Sequence, residues 1–402
     1  MTSKVYLSIS DKSFMETIKK YFLEKGEGPL FGFFGDHWQN IYRNGCGKID
    51  IPNVEVINKG ANFRSCKTIV DCLNRMRPEL FQEPNNFTKG FVGVYHTNTW
   101  KGDRLVGAQW KGDLPTDVAH QYLEKIKGKL QKKGWDFTPE KTKILMLTHN
   151  ILAKEQGYQD IAAIFSNTDD YIKKGNDYIR YFADVLEPIC IAFKNKKYGE
   201  MSSKLNGEIP MIRSHKDKLK WANSMDRLLR LRKEGSVGEI INYLRQTKYP
   251  PLSHQIEDME YKMSLLDSMV EDMSESEKKR IEITKKLKSV PYQQVISLIN
   301  FIEERTPFST KHGVKGSEYE NVLVVIGRGW NLYNFSDMLK YYYEGIPKGK
   351  EKMFERNRNL FYVACSRPKK RLAILFTQEL SDSALNTLYK WFGKENVQSV
   401  EI

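Results

Sequence analysis

Cysteine is scarce in this chain of 402 residues: Cys46, Cys66, Cys72, Cys190 and Cys365 form an odd set with no Cys-x-x-Cys pair. Such sparse use suggests a reducing compartment. No run approaches the roughly 18 apolar residues that span a bilayer, and Met1-Thr2-Ser3-Lys4 is followed by no secretory core, so a soluble cytoplasmic protein is expected. Two further absences concern phosphate chemistry. The Gly-Lys pairs at Gly47, Gly128, Gly349 and Gly393 are followed by Ile49, Leu130, Glu351 and Glu395, so no Gly-Lys-Ser/Thr loop is present to wrap a phosphate and supply a hydroxyl to Mg²⁺. No Asp-Glu dipeptide occurs either.

Charge is plentiful. Sixty-four Lys and Arg against fifty Asp and Glu give a formal charge of +14, which with 12% aromatics points to a polyanionic partner such as nucleic acid, with a basic solvated surface as the ordinary alternative. The length and the 40% hydrophobic content allow two or three compact units.

The most informative stretch lies late in the chain. Thr310-x-His312-x-x-Lys315-Gly316-x-Glu318 runs into the apolar block Asn321 to Gly327, a polar loop feeding a buried strand. Then comes Arg358-Asn359-Leu360-Phe361-Tyr362-Val363-Ala364-x-Ser366-Arg367-x-Lys369-Lys370-x-Leu372, a helix limited by Pro368, with a strand over Leu372 to Phe376. Near the start, the strand Leu30 to Phe34 ends in Gly35-Asp36-x-x-Gln39-x-Ile41-Tyr42, and Asn62-Phe63-Arg64-Ser65 follows. Loops at the carboxyl ends of strands are where α/β sheets bind ligands.

These four segments, in this order, resemble motifs III, IV, V and VI of the UvrD/Rep branch of superfamily 1 helicases. The resemblance implies an α/β, RecA-like P-loop NTPase fold with an incomplete first RecA-like domain, and a second one carrying an α-helical insert. It assigns Gln39 to sensing the terminal phosphate, and Arg64 and Arg367 to the transferred phosphoryl group. Phe63 would stack on adenine where the family usually has tyrosine, Gly316 would allow backbone approach to the nucleotide, and Glu318 would take the ribose hydroxyl. The DNA side would comprise Tyr42, Thr148, Asn150, Thr310, His312 and Lys315, with no metal ligand among the matched residues. Asn44 stands where the family has a base-stacking aromatic, which implies a weaker grip on single strands. Ser317 and Pro368 also depart from the usual Leu and Ala.

The resemblance divides the chain into a first-domain remnant (1–85), a connecting segment (86–140), the start of the second RecA-like domain (141–170), a helical accessory insert (171–290) and the rest of that domain (291–402). Expected helices include Asp11 to Leu23, Arg64 to Leu80, Pro115 to Lys133 with a solvated lysine face that could also meet phosphate, and Ile151 to Phe165. Lys143 to Leu147 reads as a buried strand. Within the insert, Met225, Leu228 and Leu229, then Val237, Ile240, Ile241 and Leu244, then Met259, Met263, Leu266 and Val270 form amphipathic rows.

The implied activity is ATP-dependent 3′ to 5′ translocation on single-stranded DNA and duplex unwinding, with ATP and Mg²⁺ bound once a Walker A/B half completes the cleft. The absence of the family's upstream motifs from this sequence is explained by a fragment or late-start gene product, by a separate chain that supplies the nucleotide-binding half, or by loss of ATPase activity. The alternative is a catalytically inactive helicase-like DNA-binding or regulatory module.

Overall fold

The computed structural model describes residues 2–6, 16–23, 30–36, 38, 55, 57–107, 110–146, 153–205, 213–265, 274–310, 318–327 and 333–402. They form two compact units, Met1–Leu152 with Thr306–Ile402, and Ala153–Arg305.

The first unit opens with two parallel strands, β1 (Thr2–Tyr6) and β2 (Leu30–Phe34). Next come β3 (Ala61–Cys66), helix α1 (Lys67–Met76) and β4 (Glu83–Asn86), with β3 and β4 again parallel. Its centre is a six-stranded parallel sheet. In spatial order this holds β10 (Val397–Ser399), β5 (Phe91–His96), β9 (Pro368–Phe376), β8 (Tyr319–Ile326), β6 (Thr142–Met146) and β7 (Phe308–Thr310).

Parallel strands bury both faces, which explains their unbroken apolar runs. Alternate residues (Val92 and Val94, Val322 and Val324, Leu372 and Ile374) share one core with α1, with the helices Phe335–Glu344 and Glu351–Cys365, and with Trp391 of the helix Asp382–Phe392. On the other face lies α2 (Thr116–Gln131), whose Lys129 Nζ stands 5.0 Å from the ring centre of buried Tyr95. The chain is thus α/β with the RecA-like arrangement. Among the described residues no helix is long and apolar enough to cross a membrane.

Several local expectations change. Residues 86–140 do more than connect, because β5 pairs with both β9 and β10; its run Phe-Val-Gly-Val-Tyr-His is short, but it is largely buried. Arg64 to Cys66 are extended rather than helical, and α1 starts at Lys67 and stops before Pro78. The strand after the Ser-Arg pair begins at Pro368 itself, a position a proline tolerates at the first residue of a strand. Within the expected Ile151 to Phe165 helix, Gly157 adopts φ +71° and a separate helix spans Gln159–Ile164. Of Asp11 to Leu23, the described residues 16–23 end in a π-helical turn, Lys19–Leu23.

The second unit is helical and wider than the expected 171–290 insert. Helices His215–Glu234, Val237–Thr247 and Glu275–Ser289 each start with a capping box, at Ser214 and Asp217, Ser236 and Glu239, and Ser274 and Glu277. Met225, Leu228, Val237, Ile240, Ile241 and Leu244 are buried as their spacing predicts. On His254–Ser264 the buried positions are Ile256 and Glu260 rather than the Met259 and Met263 row; Leu266 and Val270 lie outside the described residues.

Two carboxylates are sunk in this unit and fully engaged. Glu260 accepts from Tyr178 Oη at 2.9 Å and from Lys288 Nζ at 2.7 and 2.9 Å. Glu187 accepts from Arg232 Nε at 2.8 Å, from Arg232 Nη2 and from Tyr292 Oη at 3.0 Å. Glu187→Leu strands the largely buried Arg232 guanidinium, and is expected to lower the unfolding free energy by about 3–5 kcal/mol in a urea titration. Pairing it with Arg232→Leu should recover most of that loss; an equal loss in both variants would show that the pair is not coupled. In the first unit, a Cβ on Gly90 would run into Cys66 Sγ and the Lys370 carbonyl oxygen. Gly90→Ala should therefore cost about 1–3 kcal/mol in a thermal melt, and an unchanged midpoint would mean that β3 can move away from β9 freely.

Candidate functional site

The segment Asn62-Phe63-Arg64-Ser65 becomes a site because each side chain leaves β3 with a different task. Asn62 Oδ1 accepts from the backbone N–H groups of Arg64 (3.0 Å) and Ser65 (2.9 Å), while its Nδ2 donates to Gln82 Oε1 at 2.6 Å. Ser65 points inward and donates to the Pro368 carbonyl at 2.8 Å. Phe63 points outward and is 76% exposed, leaving its ring face open.

Arg64 reaches across to the far part of the sequence. Its Nε donates to Glu318 Oε1 at 3.1 Å, 254 positions away, and its Nη1 to the Ser366 carbonyl at 3.1 Å. That carbonyl is presented by the end of the helix Glu351–Cys365, where Ser366 is the C-cap residue. Glu318 also meets Lys369 Nζ at 3.0 Å. Lys369 and then Arg64 hold the Glu318 carboxyl below its usual range. It stays ionised at neutral pH, and the stabilisation it lends is present above the ordinary carboxylate pKa and lost as pH falls through the depressed one.

Arg367 sits behind this pair. It is 1% exposed; Nε donates to the Val363 carbonyl at 3.1 Å, whereas Nη2 is buried with no hydrogen-bond partner among the described residues. Burial, and next the charge of Arg64, push its guanidinium down to about 10. It is still a cation at neutral pH.

Phe63, Arg64, Glu318 and Ser366 line a cavity of about 300 Å³, with Lys59, Gln82, Tyr362 and Asp36. The Asp36 wall is already committed. Its carboxylate takes Arg77 Nη1 at 2.7 and 2.9 Å and the Trp38 N–H at 3.0 Å. Trp38 in turn lies with its ring centre 4.8 Å from the Arg77 guanidinium and 3.8 Å from that of Arg358, and packs edge-on to Tyr362 at 5.1 Å. This cation–aromatic stack binds the segment after β2 to α1 and to the helix Glu351–Cys365.

The fold therefore gathers Phe63, Arg64, Glu318 and Arg367. Thr310 is placed as the last residue of β7, in register with Met146. Gln39, Tyr42, Thr148, Asn150, His312, Lys315 and Gly316 lie outside the described residues. Sequence reasoning passed over Trp38, Tyr362 and Lys369, although all three stand inside the quoted motifs. Arg77 and Gln82 carry no sequence signal that could have singled them out.

Residues 114–379, about two-thirds of the chain, match the UvrD-like helicase C-terminal domain. That range holds Glu318, Ser366, Arg367 and Lys369, and begins after Phe63 and Arg64. The Gabija protein GajB of Bacillus cereus (strain HuB5-5) is similar over nearly the whole chain: 23% identical over 419 residues, covering 92% of this chain and 56% of that protein. The chain thus spans a little over half the length of that relative. With motifs, parallel sheet and matched range in agreement, the chain belongs to the UvrD-like helicase C-terminal domain family.

Proposed function

We propose that this chain is the C-terminal part of a DNA helicase motor, in which the Arg64 cavity receives ATP when a Walker A/B half is supplied. The observation that carries the reading is the meeting of Arg64, Glu318 and Arg367 beside an open aromatic ring. Two guanidinium groups held close together, one with a buried N–H lacking an acceptor, suit an anion more highly charged than a single carboxylate.

In this reading Phe63 stacks on adenine, and Glu318 exchanges its cations for the ribose hydroxyl. Arg64 and Arg367 then stabilise charge on the transferred phosphoryl group, and Gln39 senses the terminal phosphate. Gly316 lets the backbone approach the nucleotide. Asp36 is tied to Arg77, so among the described residues lining the cavity it offers Mg²⁺ no free carboxylate, and the metal falls to the Walker residues of the other half. Tyr42, Thr148, Asn150, Thr310, His312 and Lys315 contact single-stranded DNA, which positions the strand without reading sequence. Closure of the cleft by ATP and reopening after hydrolysis would step the motor 3′ to 5′.

The missing Gly-Lys-Ser/Thr loop favours a second reading, a DNA-binding or regulatory module that has lost ATPase activity. Retention of both arginines weighs against it, since such a module needs no phosphoryl-stabilising pair.

The purified chain, assayed with and without single-stranded DNA beside Arg367→Ala, is expected to hydrolyse no ATP. Turnover that rises with DNA and disappears in Arg367→Ala would overturn the need for a second half. In a titration with a fluorescent ATP analogue, Arg64→Ala is expected to weaken binding about tenfold to hundredfold, as loss of a charge-assisted contact of about 1.5–3 kcal/mol requires. Phe63→Ala should also weaken it while Phe63→Tyr does not. Unchanged affinity in both alanine variants would remove this cavity as the nucleotide site.

A further inference from the structure

Helix α2 carries a face that neither the cavity nor the motif residues explain. Ala119, Tyr122, Leu123, Ile126 and Leu130 turn inward, and on one outer flank stand Lys125, Gly128, Lys129 and Lys132 at helical spacings of three and four. Lys133 follows just past the helix. None of Lys125, Lys129, Lys132 or Lys133 has a carboxylate partner among the described residues. By contrast, Lys127, on the other flank, pairs with Glu124 at 2.6 Å.

The lysines are shaped by their surroundings rather than left loose. Lys129 lies over the Tyr95 ring and donates to Gln398 Oε1 at 3.0 Å, and Lys133 lies 4.6 Å from the Phe91 ring centre. Burial, and then the charges of Lys133 and Lys125, lower the pKa of Lys129, so these ammonium groups share one field. Like charges one turn apart destabilise a helix, and no carboxylate among the described residues pairs with them.

Gly128 supplies the independent observation. A glycine inside a helix weakens it relative to alanine, and such a residue usually answers a packing need. Here a Cβ would meet nothing within 4 Å. The chain's own packing gives no reason for the glycine; a partner approaching the helix backbone between the lysines does.

We propose that this face is a second nucleic-acid contact that grips the phosphodiester backbone, with a phosphate set against Gly128 and held by Lys125, Lys129 and Lys132. Its ligand chemistry is the phosphate chain common to single strands and duplexes. It lies against β5 and β10, at the opposite edge of the sheet from Thr310 in β7, so the two contacts can be tested independently.

The test titrates the whole chain against a labelled 30-nucleotide single strand and a labelled 20-base-pair duplex over a series of KCl concentrations. K125Q/K129Q/K132Q is expected to weaken at least one of the two probes and to reduce its log–log salt slope by about two, as loss of two to three phosphate contacts requires. G128L should weaken the same probe, whereas G128A should raise the melting midpoint, confirming that the glycine is not there for stability. Parent-like affinity and slope in the triple variant for both probes would overturn the proposal. So would binding to phosphatidylserine vesicles that the triple variant loses while its DNA binding stays intact. H312A/K315A separates the two ideas: if that variant alone abolishes DNA binding, the motor path stands and the lysine face falls, while residual binding sensitive to K125Q/K129Q/K132Q supports the face.

Discussion

The candidate site depends on β3 being tied to the first residues of β9. The Ser65 hydroxyl donates to the Pro368 carbonyl, the Cys66 thiol lies 3.6 Å from the Lys370 carbonyl, and Gly90 keeps the approach close. The pairing of β3 with β4 shifts register between Asn62 and Cys66, and within that irregularity Phe63 faces out, Arg64 is set against Ser366 and Glu318, and Ser65 turns inward. A slip of β3 by one residue would take Arg64 and Ser65 away from these partners and dissolve the cluster. The tie also explains why two segments some 300 positions apart in sequence act as one piece: α1 and the helix Glu351–Cys365 share a core beneath it.

Electrostatics then decides what the cluster can hold. Lys369 and Arg64 bond one carboxylate, Glu318, and hold it below its usual range, with the buried Arg367 nearby. Arg367 feels the opposite pressure, since burial and Arg64 both disfavour its charge. An unpaired buried donor is costly, and a like charge nearby adds to that cost. On the reading proposed above, a multiply charged anion would meet that unpaired donor better than another single carboxylate.

Much of this was legible in the sequence because the motifs pair a polar set with a strand or helix boundary. The strand starting near Asn321, the helix ending near Arg367 and the closeness of Arg64 to Glu318 follow from that arrangement. β5 was harder to see. Its six residues are flanked by Gly, Asn and Thr, and only pairing with β9 and β10 makes Phe91 to His96 a strand. Arg64 to Cys66 were misread as helix because their extended form comes from Asn62 and from the distant Pro368 carbonyl. The Trp38 stack was invisible for the same reason, as Arg77 and Arg358 meet it only through tertiary folding.

The parallel sheet also sets where each function can sit. Met146 pairs with Thr310 on one side and with Val325 on the other, so Thr310 is level with the carboxyl end of β8. Glu318 precedes the amino end of the same strand, and seven residues along β8 put the two levels about 23 Å apart. Ligands of α/β sheets usually settle at carboxyl ends. Here Thr310 lies at that edge, whereas Arg64, Glu318 and Arg367 gather at the amino ends of β8 and β9. The connection between the two ends is short: Thr310 and Glu318 are eight positions apart, and His312, Lys315 and Gly316 stand between them. On the reading proposed above, a nucleotide that drew Glu318 away from Arg64 would act eight positions along the sequence from Thr310.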